Sequence, residues 1–122
     1  MEPLQRRFEP TPASARDARR SLLVWSEVLD PSSLSNVGTV ISELVALSVK
    51  EGSADPIDLR LELGDTHVKG IVLDTVAQAF LQNANEGSLA LRIIDGLVDE
   101  WRADPGRGGV WFRMSVTRLD AA

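Results

Sequence analysis

The sequence predicts an α+β fold, a two-layer sandwich in which a mixed, mostly antiparallel sheet carries helices on one face. An alternating apolar run over residues 57–63 is joined by Gly64 and Asp65 to a second alternating run over 66–74, which is typical of a β-hairpin. Elsewhere, apolar residues recur every three or four positions, which predicts helices at 12–29, 34–50 and 88–101.

The first predicted element is a strand over residues 4–8, which the Pro10-Thr11-Pro12 stretch ends. Thr11 is expected to cap the first helix, with Pro12 at its first position. The apolar stripe of this helix comprises Ala15, Ala18, Leu22, Trp25 and Leu29. The segment from Asp30 to Ser33 is expected to end it.

The second predicted helix repeats the pattern, and Gly52 is its expected stop. Its stripe comprises Val37, Val40, Ile41, Leu44, Leu47 and Ser48. Residues 75–87 have a weak pattern that fits a short helix or a loop. The third helix has the stripe Ala90, Ile94, Leu97, Val98 and Trp101. A turn-rich connection over 104–109 then leads to a last strand over 110–119.

Composition limits the classes of function. With 122 residues, 43% of them hydrophobic, the chain is expected to form a single domain over 1–122. The absence of cysteine excludes disulfides and thiolate metal ligands, and a net charge of −5 argues against nucleic-acid binding. The first residues have no apolar core of a signal peptide, and no later apolar run approaches membrane-spanning length. A cytoplasmic protein without a membrane partner is therefore expected.

Five arginines lie within the first twenty residues, at Arg6, Arg7, Arg16, Arg19 and Arg20. Such a cluster is typical of a solvated helix face, and it also suits a surface that docks an acidic partner. The sequence leaves both interpretations open.

The stretch from Val40 to Val49, with Glu43 and Leu47, resembles the nucleotide-binding helix of the GHKL (Bergerat-fold) ATPases. It is most similar to that of the anti-sigma-factor serine kinases. Residues 8–14 resemble the opening segment of these domains and 109–112 their closing strand, so the resemblance covers nearly the whole chain. It implies a histidine-kinase-like ATPase fold, an ATP and Mg²⁺ site, a bacterial regulatory role, and a sigma factor or an antagonist as partner. Dimers are also implied.

Each nucleotide-binding motif departs from the family pattern. The family helix carries Glu-x-x-x-Asn, but the asparagine position reads Leu47, whose hydrocarbon side chain cannot ligate Mg²⁺. Glu43 stands at the position of the general base, and without the metal it is expected to be vestigial. Leu47 and Glu43 lie four residues apart and therefore on one ridge of the helix.

The two glycine motifs are also altered. The adenine-binding motif Asp-x-Gly-x-Gly reads Asp74-Thr75-Val76-Ala77-Gln78, so Val76 and Gln78 replace glycines that let backbone approach a nucleotide. Asp74 is expected either to line a residual pocket or to cap backbone amides. The phosphate motif Gly-x-Gly-Leu reads Ser88-Leu89-Ala90-Leu91. A helix N-terminus at Ser88 still attracts anions, but side chains at Leu89 and Ala90 restrict their approach.

Strand alternation points to an apolar patch on the outer face of the sheet. If Val110, Phe112 and Met114 face the helices, Trp111 faces outward, as do Ile71 and Leu73 on the hairpin. If the two strands are neighbours, Trp111, Ile71 and Leu73 would form one apolar patch. Exposed apolar patches mark interaction sites. The alternative is that the C-terminal tail covers the patch.

These observations favour a non-catalytic regulatory module that binds a protein partner or itself and needs no cofactor. One alternative is a divergent but active ATP-dependent serine kinase and anti-sigma factor. Another is a small-ligand sensor that uses the residual pocket near Asp74.

Overall fold

The computed structural model describes residues 3–83 and 88–120. Its strands are β1 (Leu4–Phe8), β2 (Ile57–Leu63), β3 (His67–Leu73), β4 (Glu100–Asp104) and β5 (Gly109–Ser115). Its α-helices are α1 (Ser14–Ser21), α2 (Pro31–Lys50), α3 (Thr75–Gln82) and α4 (Leu89–Leu97), and a 3₁₀ turn over Leu22–Trp25 follows α1.

The described strands form one five-stranded sheet in the order β1-β2-β3-β5-β4, and each neighbouring pair is antiparallel. The helices cover one face of this sheet, which confirms the predicted α+β two-layer sandwich. The core lies between the layers, because alternate residues of β2 and β5 point toward the long helix α2. Its largest fully buried side chains include Phe112, Leu22, Leu29, Ile41, Leu44, Ile57, Leu59, Leu61, Ile94 and Met114.

The first helix is shorter than predicted. It begins at Ser14 rather than Pro12, and Thr11 does not cap it, since the Thr11 amide instead donates to Ser14 Oγ at 2.9 Å. After Ser21 the chain tightens into the 3₁₀ turn, which keeps Leu22 and Trp25 buried but leaves Leu23 63% exposed. The predicted apolar stripe is buried at Ala18, Leu22, Trp25 and Leu29, but the prediction of one continuous helix to residue 29 was wrong.

The segment from Asp30 to Ser33 starts α2 and does not merely end the preceding helix. Asp30 is the N-cap, because its Oδ1 accepts a hydrogen bond from the Ser33 amide at 2.7 Å, and Pro31 occupies the first helical position. This hydrogen bond lowers the pKa of Asp30. The predicted start at residue 34 was therefore one turn late.

The third predicted helix, over residues 88–101, was too long: its last residues belong to a strand that was not predicted. Helix α4 ends at Leu97, and Trp101 lies on β4 opposite Phe112 rather than on a helical stripe. The Trp101 indole Nε1 donates to Asp95 Oδ1 at 2.5 Å, which ties the strand to the helix. The last strand is also shorter than predicted, since β5 ends at Ser115 and the chain then turns back to the helix layer.

The weakly patterned segment after β3 forms helix α3 up to Gln82, while residues 84–87 lie outside the described residues. Within the described chain, α2 has the length and apolar composition of a membrane-spanning helix, with a mean hydropathy of 1.2. Of its most apolar 18-residue stretch, 56% is buried inside the fold, as is typical of a core helix.

Candidate functional site

A cavity of about 940 Å³ opens on the helix side, between α2, α3 and the start of α4. Five of the seven residues that the sequence assigned to nucleotide binding line it: Glu43, Leu47, Val76, Ser88 and Ala90. The other two, Asp74 and Gln78, are not among its lining residues. The structure therefore brings five of the motif residues together around one cavity and leaves Asp74 and Gln78 outside its lining.

Asp74 is the N-cap of α3, and both of its carboxylate oxygens are hydrogen-bonded within the protein. Oδ2 accepts from the Ala77 amide at 2.9 Å, and Oδ1 accepts from Ser53 Oγ at 2.7 Å. The residue is 7% exposed. Of the two roles considered for Asp74, the structure shows the cap, which offsets the cost of burying a carboxylate.

Gln78 lies on the first full turn of α3 and is also 7% exposed. Its Nε2 donates to Oε1 of Gln82 on the same helix. Helix α3 thus begins within the segment that resembles the Asp-x-Gly-x-Gly motif.

The cavity wall is mostly apolar. Leu47 is 5% exposed, and Glu43 is half-buried one turn earlier on the same ridge of α2. The Glu43 carboxylate forms no hydrogen bond or ion pair with the residues that the structure describes. Val76 and Phe80 of α3 face it across the cavity.

Ser88 caps α4, since its Oγ accepts a hydrogen bond from the Leu91 amide at 3.3 Å. One of the amides at this helix terminus is therefore already satisfied by the protein. Leu89, which follows, is 70% exposed at the mouth of the cavity. Within residues 3–83 and 88–120, no three His, Asp or Glu side chains are grouped in a way that could hold a metal ion.

The opposite face of the sheet carries no helix among the described elements, and its centre is the apolar cluster expected from strand alternation. Strands β3 and β5 are neighbours, and Ile71 lies directly opposite Trp111. Ile71 is only 9% exposed, so the accessible apolar surface comes mainly from Leu73 and Trp111, which are half-buried. Arg102 of β4 stacks over the Trp111 ring, 5.3 Å from its centroid.

The C-terminal tail does not cover this cluster as far as the structure describes it. The Leu119 amide donates to the Val28 carbonyl at 2.8 Å, and Arg118 pairs with Leu29 in an isolated antiparallel β-bridge, so residues 117–119 lie beside the segment that precedes α2. The apolar cluster instead lines a depression of about 680 Å³.

Charged residues surround this depression, and no role was predicted for them. Arg60, Lys69, Arg107 and Glu62 line it. Their positions at the polar places of alternating strands indicate that they face outward, but only the strand order shows that they surround one depression. Near one edge of the sheet, Arg7 Nε and Asp58 Oδ1 form an ion pair at 2.8 Å, and this hydrogen bond lowers the pKa of Asp58.

The chain has an RsbW-like fold of the GHKL type. It is similar to a crystal structure of the RsbU and RsbW domains of Rv1364c from Mycobacterium tuberculosis, with 25% sequence identity and a TM-score of 0.68. The match covers 97% of this chain but 32% of that one, so the chain spans about a third of the solved protein's length. No protein-family model and no curated protein matches the sequence.

Proposed function

We propose that this domain is a non-catalytic regulatory module that acts by binding a protein partner, and that it has lost the Mg²⁺-ATP chemistry of the RsbW-like fold. The observation that carries the proposal is the state of Asp74. Its two carboxylate oxygens are engaged by Ser53 and by the Ala77 amide, the residue is only 7% exposed, and it does not line the helix-side cavity, so it is not presented to an adenine amino group there.

The residues that line the helix-side cavity support the same conclusion. Mg²⁺ requires oxygen ligands, and the side chain one turn from Glu43 is the hydrocarbon of Leu47. A phosphate at the start of α4 would meet the side chains of Leu89 and Ala90 where the family pattern has backbone freedom. The residues present therefore do not fit a nucleotide and its metal, and we assign no catalytic residue and no cofactor to the chain.

The proposal treats residues 1–122 as one module whose partner is a regulatory protein. A sigma factor or an antagonist of an anti-sigma factor is the class of partner that the RsbW-like fold suggests. A cytoplasmic location follows from that class, and self-association into a homodimer belongs to the same proposal.

The size and apolar lining of the helix-side cavity favour one second candidate, a sensor for a small apolar ligand. The cavity of about 940 Å³ falls within the range of small-molecule sites. Such a ligand would lie against Leu47, Val76 and Phe80 and would not need Asp74.

Nucleotide binding provides the direct test. A ligand that binds the native state raises the melting temperature, so ATP with Mg²⁺ at millimolar concentration is expected to leave the melting temperature unchanged. Leu47→Asn alone is expected not to restore binding, because Val76, Gln78 and Ser88 remain. An Mg²⁺-dependent rise in melting temperature, or transfer of labelled phosphate from ATP to a protein serine, would show that the divergent kinase is the correct alternative.

A further inference from the structure

The open face of the sheet, meaning the surface around Trp111 opposite the helix layer, has an ordered row of side chains. The strand register places Gln5, Arg60, Ile71, Trp111 and Arg102 side by side across all five strands. Two arginines therefore flank the apolar pair at the centre. A rigid sheet fixes these positions, so the open face is preorganised.

The charge of the open face is opposite to that of the whole chain. Arg60, Lys69 and Arg107 line the depression with a single carboxylate, Glu62, while Arg102 lies on the Trp111 ring. None of these four cations has a carboxylate within ion-pair distance among the described residues, although Lys69 lies opposite Glu62 in the strand register and the charge of Arg60 helps to lower the pKa of Asp58 on the same face. The chain as a whole has a net charge of −5, so the open face is a basic area on an acidic protein.

The depression also offers an apolar contact. Leu73 and Trp111 are half-buried and border its floor, and its volume of about 680 Å³ is large enough to receive side chains of a partner. Aromatic residues surrounded by arginines are typical of positions that contribute most to binding energy.

We infer that the open face binds an acidic segment of a partner protein, with an aromatic or aliphatic side chain of that segment seated against Leu73 and Trp111. This inference rests on the proposed function, because it specifies the chemistry of the partner. Carboxylates of the segment would pair with Arg60, Lys69 and Arg107, and charge complementarity of this kind sets the choice of partner and the rate of association.

Charge also selects against two other occupants. A second copy of the chain would bring the same cations face to face, and like charges at an interface are costly. A nucleic acid carries a phosphate at every nucleotide, so its charge would extend past the basic area onto a chain with a net charge of −5, and it has no aliphatic side chain to place against Leu73.

The test uses fluorescence anisotropy of the full chain with three labelled peptides and one oligonucleotide. The first peptide intersperses Glu with Leu and Phe, the second replaces its Glu by Lys, and the third replaces its Leu and Phe by Ser; the oligonucleotide is single-stranded DNA. The first peptide is expected to bind at least about tenfold more tightly than either of the other two, and its affinity is expected to fall with added salt.

Variants localise the binding. Arg60→Glu, Arg107→Glu and Trp111→Ser are each expected to weaken binding of the first peptide by about tenfold. Arg16→Glu on α1 and Leu23→Ser in the 3₁₀ turn are matched controls, because both residues are exposed on the helix layer, and they are expected to change it less than about twofold. If Trp111→Ser unfolds by circular dichroism, the two arginine variants still carry the test.

Several results would overturn the inference: no binding of the acidic apolar peptide, equal binding of the Lys peptide, preference for the oligonucleotide, or equal losses in the control variants. A stable dimer that Arg60→Glu dissociates would assign the open face to a second copy instead. Failure of the proposed function is separate, because it appears as ATP binding at the helix-side cavity. A protein that binds both the peptide and ATP would retain this inference and refute the non-catalytic proposal.

Discussion

Asp74 offers the sharpest test of how the structure differs from the family pattern. Asp74→Ala removes the N-cap of α3 and leaves the Ala77 amide and the Ser53 hydroxyl without their acceptor. Loss of an N-cap costs about 1 kcal/mol, and a hydrogen bond to a charged group contributes about 1.5 kcal/mol or more. Because Ser53 is half-exposed and can turn to water, we expect a total loss of about 2 kcal/mol in unfolding free energy.

Asp74→Asn is the matched control. Asparagine caps helices about as well as aspartate, its Oδ1 can accept from the Ala77 amide, and its amide group can donate to Ser53 Oγ. This variant is therefore expected to lose less than about 1 kcal/mol. An adenine-binding role predicts a different result, since Asn would then be as damaging to function as Ala while both left stability nearly unchanged.

Urea denaturation monitored by circular dichroism measures these differences, and a loss of about 2 kcal/mol corresponds to a fall of about 8 °C in melting temperature for a domain of this size. Ser53→Ala in both backgrounds completes a double-mutant cycle, which isolates the contact between Ser53 and Asp74. The capping interpretation is wrong if Asp74→Ala costs less than about 0.5 kcal/mol, or if Asn destabilises the protein as much as Ala does.

Three further predictions concern stability. Gly70→Ala should lower the free energy of unfolding, measured by urea denaturation, by about 2 kcal/mol, because its Cβ would lie 2.5 Å from Phe112 Cζ and 2.6 Å from Leu61 Cδ2. An unchanged free energy would mean that β3 and β5 can move apart. Gly96→Ala, where no heavy atom lies within 4 Å of the added Cβ, should instead stabilise α4 by about 0.5 kcal/mol in the same assay. Asp30 and Asp58 have pKa values lowered below 3.8 by hydrogen bonds, so their contribution to stability is complete above that pH and is lost as the pH falls through the folded-state values. Asp30→Asn, which keeps a cap that cannot titrate, should make acid unfolding less steep, and an unchanged acid profile would refute the assignment.

Local pattern was enough for most of the fold. The alternation of Ile57, Leu59, Leu61 and Leu63 with polar residues fixed β2 and its inward face, and the three- and four-residue spacing fixed the buried side of α2. Strand β4 escaped detection because Val98 and Trp101, three residues apart, also continue the helical period of α4. Its identity depends on pairing with β5, which is a contact between distant residues and leaves little local signal.

In the candidate sites, too, neighbours set by local pattern could be predicted, whereas neighbours set by strand order could not. Glu43 and Leu47 could be placed together because four residues make one turn of a helix, and Trp111 could be set beside Ile71 because strand parity is simple. The basic character of the open face could not be predicted. Arg60 lies on β2, far along the chain from Arg102 on β4 and Arg107 in the turn that follows it. Only the strand order β2-β3-β5-β4 brings the three arginines around one aromatic ring.

Asp74 shows why a retained motif residue is weak evidence for retained chemistry. An aspartate directly after a strand and three residues before a free amide is a good helix cap, whether or not it also contacts a ligand. Once Val76 and Gln78 replace the glycines, the following segment can form α3, since both residues tolerate helical backbone better than glycine does. The helix then gives the carboxylate a structural role. Stability alone would preserve Asp74 under these conditions, so its presence does not require that ATP still binds.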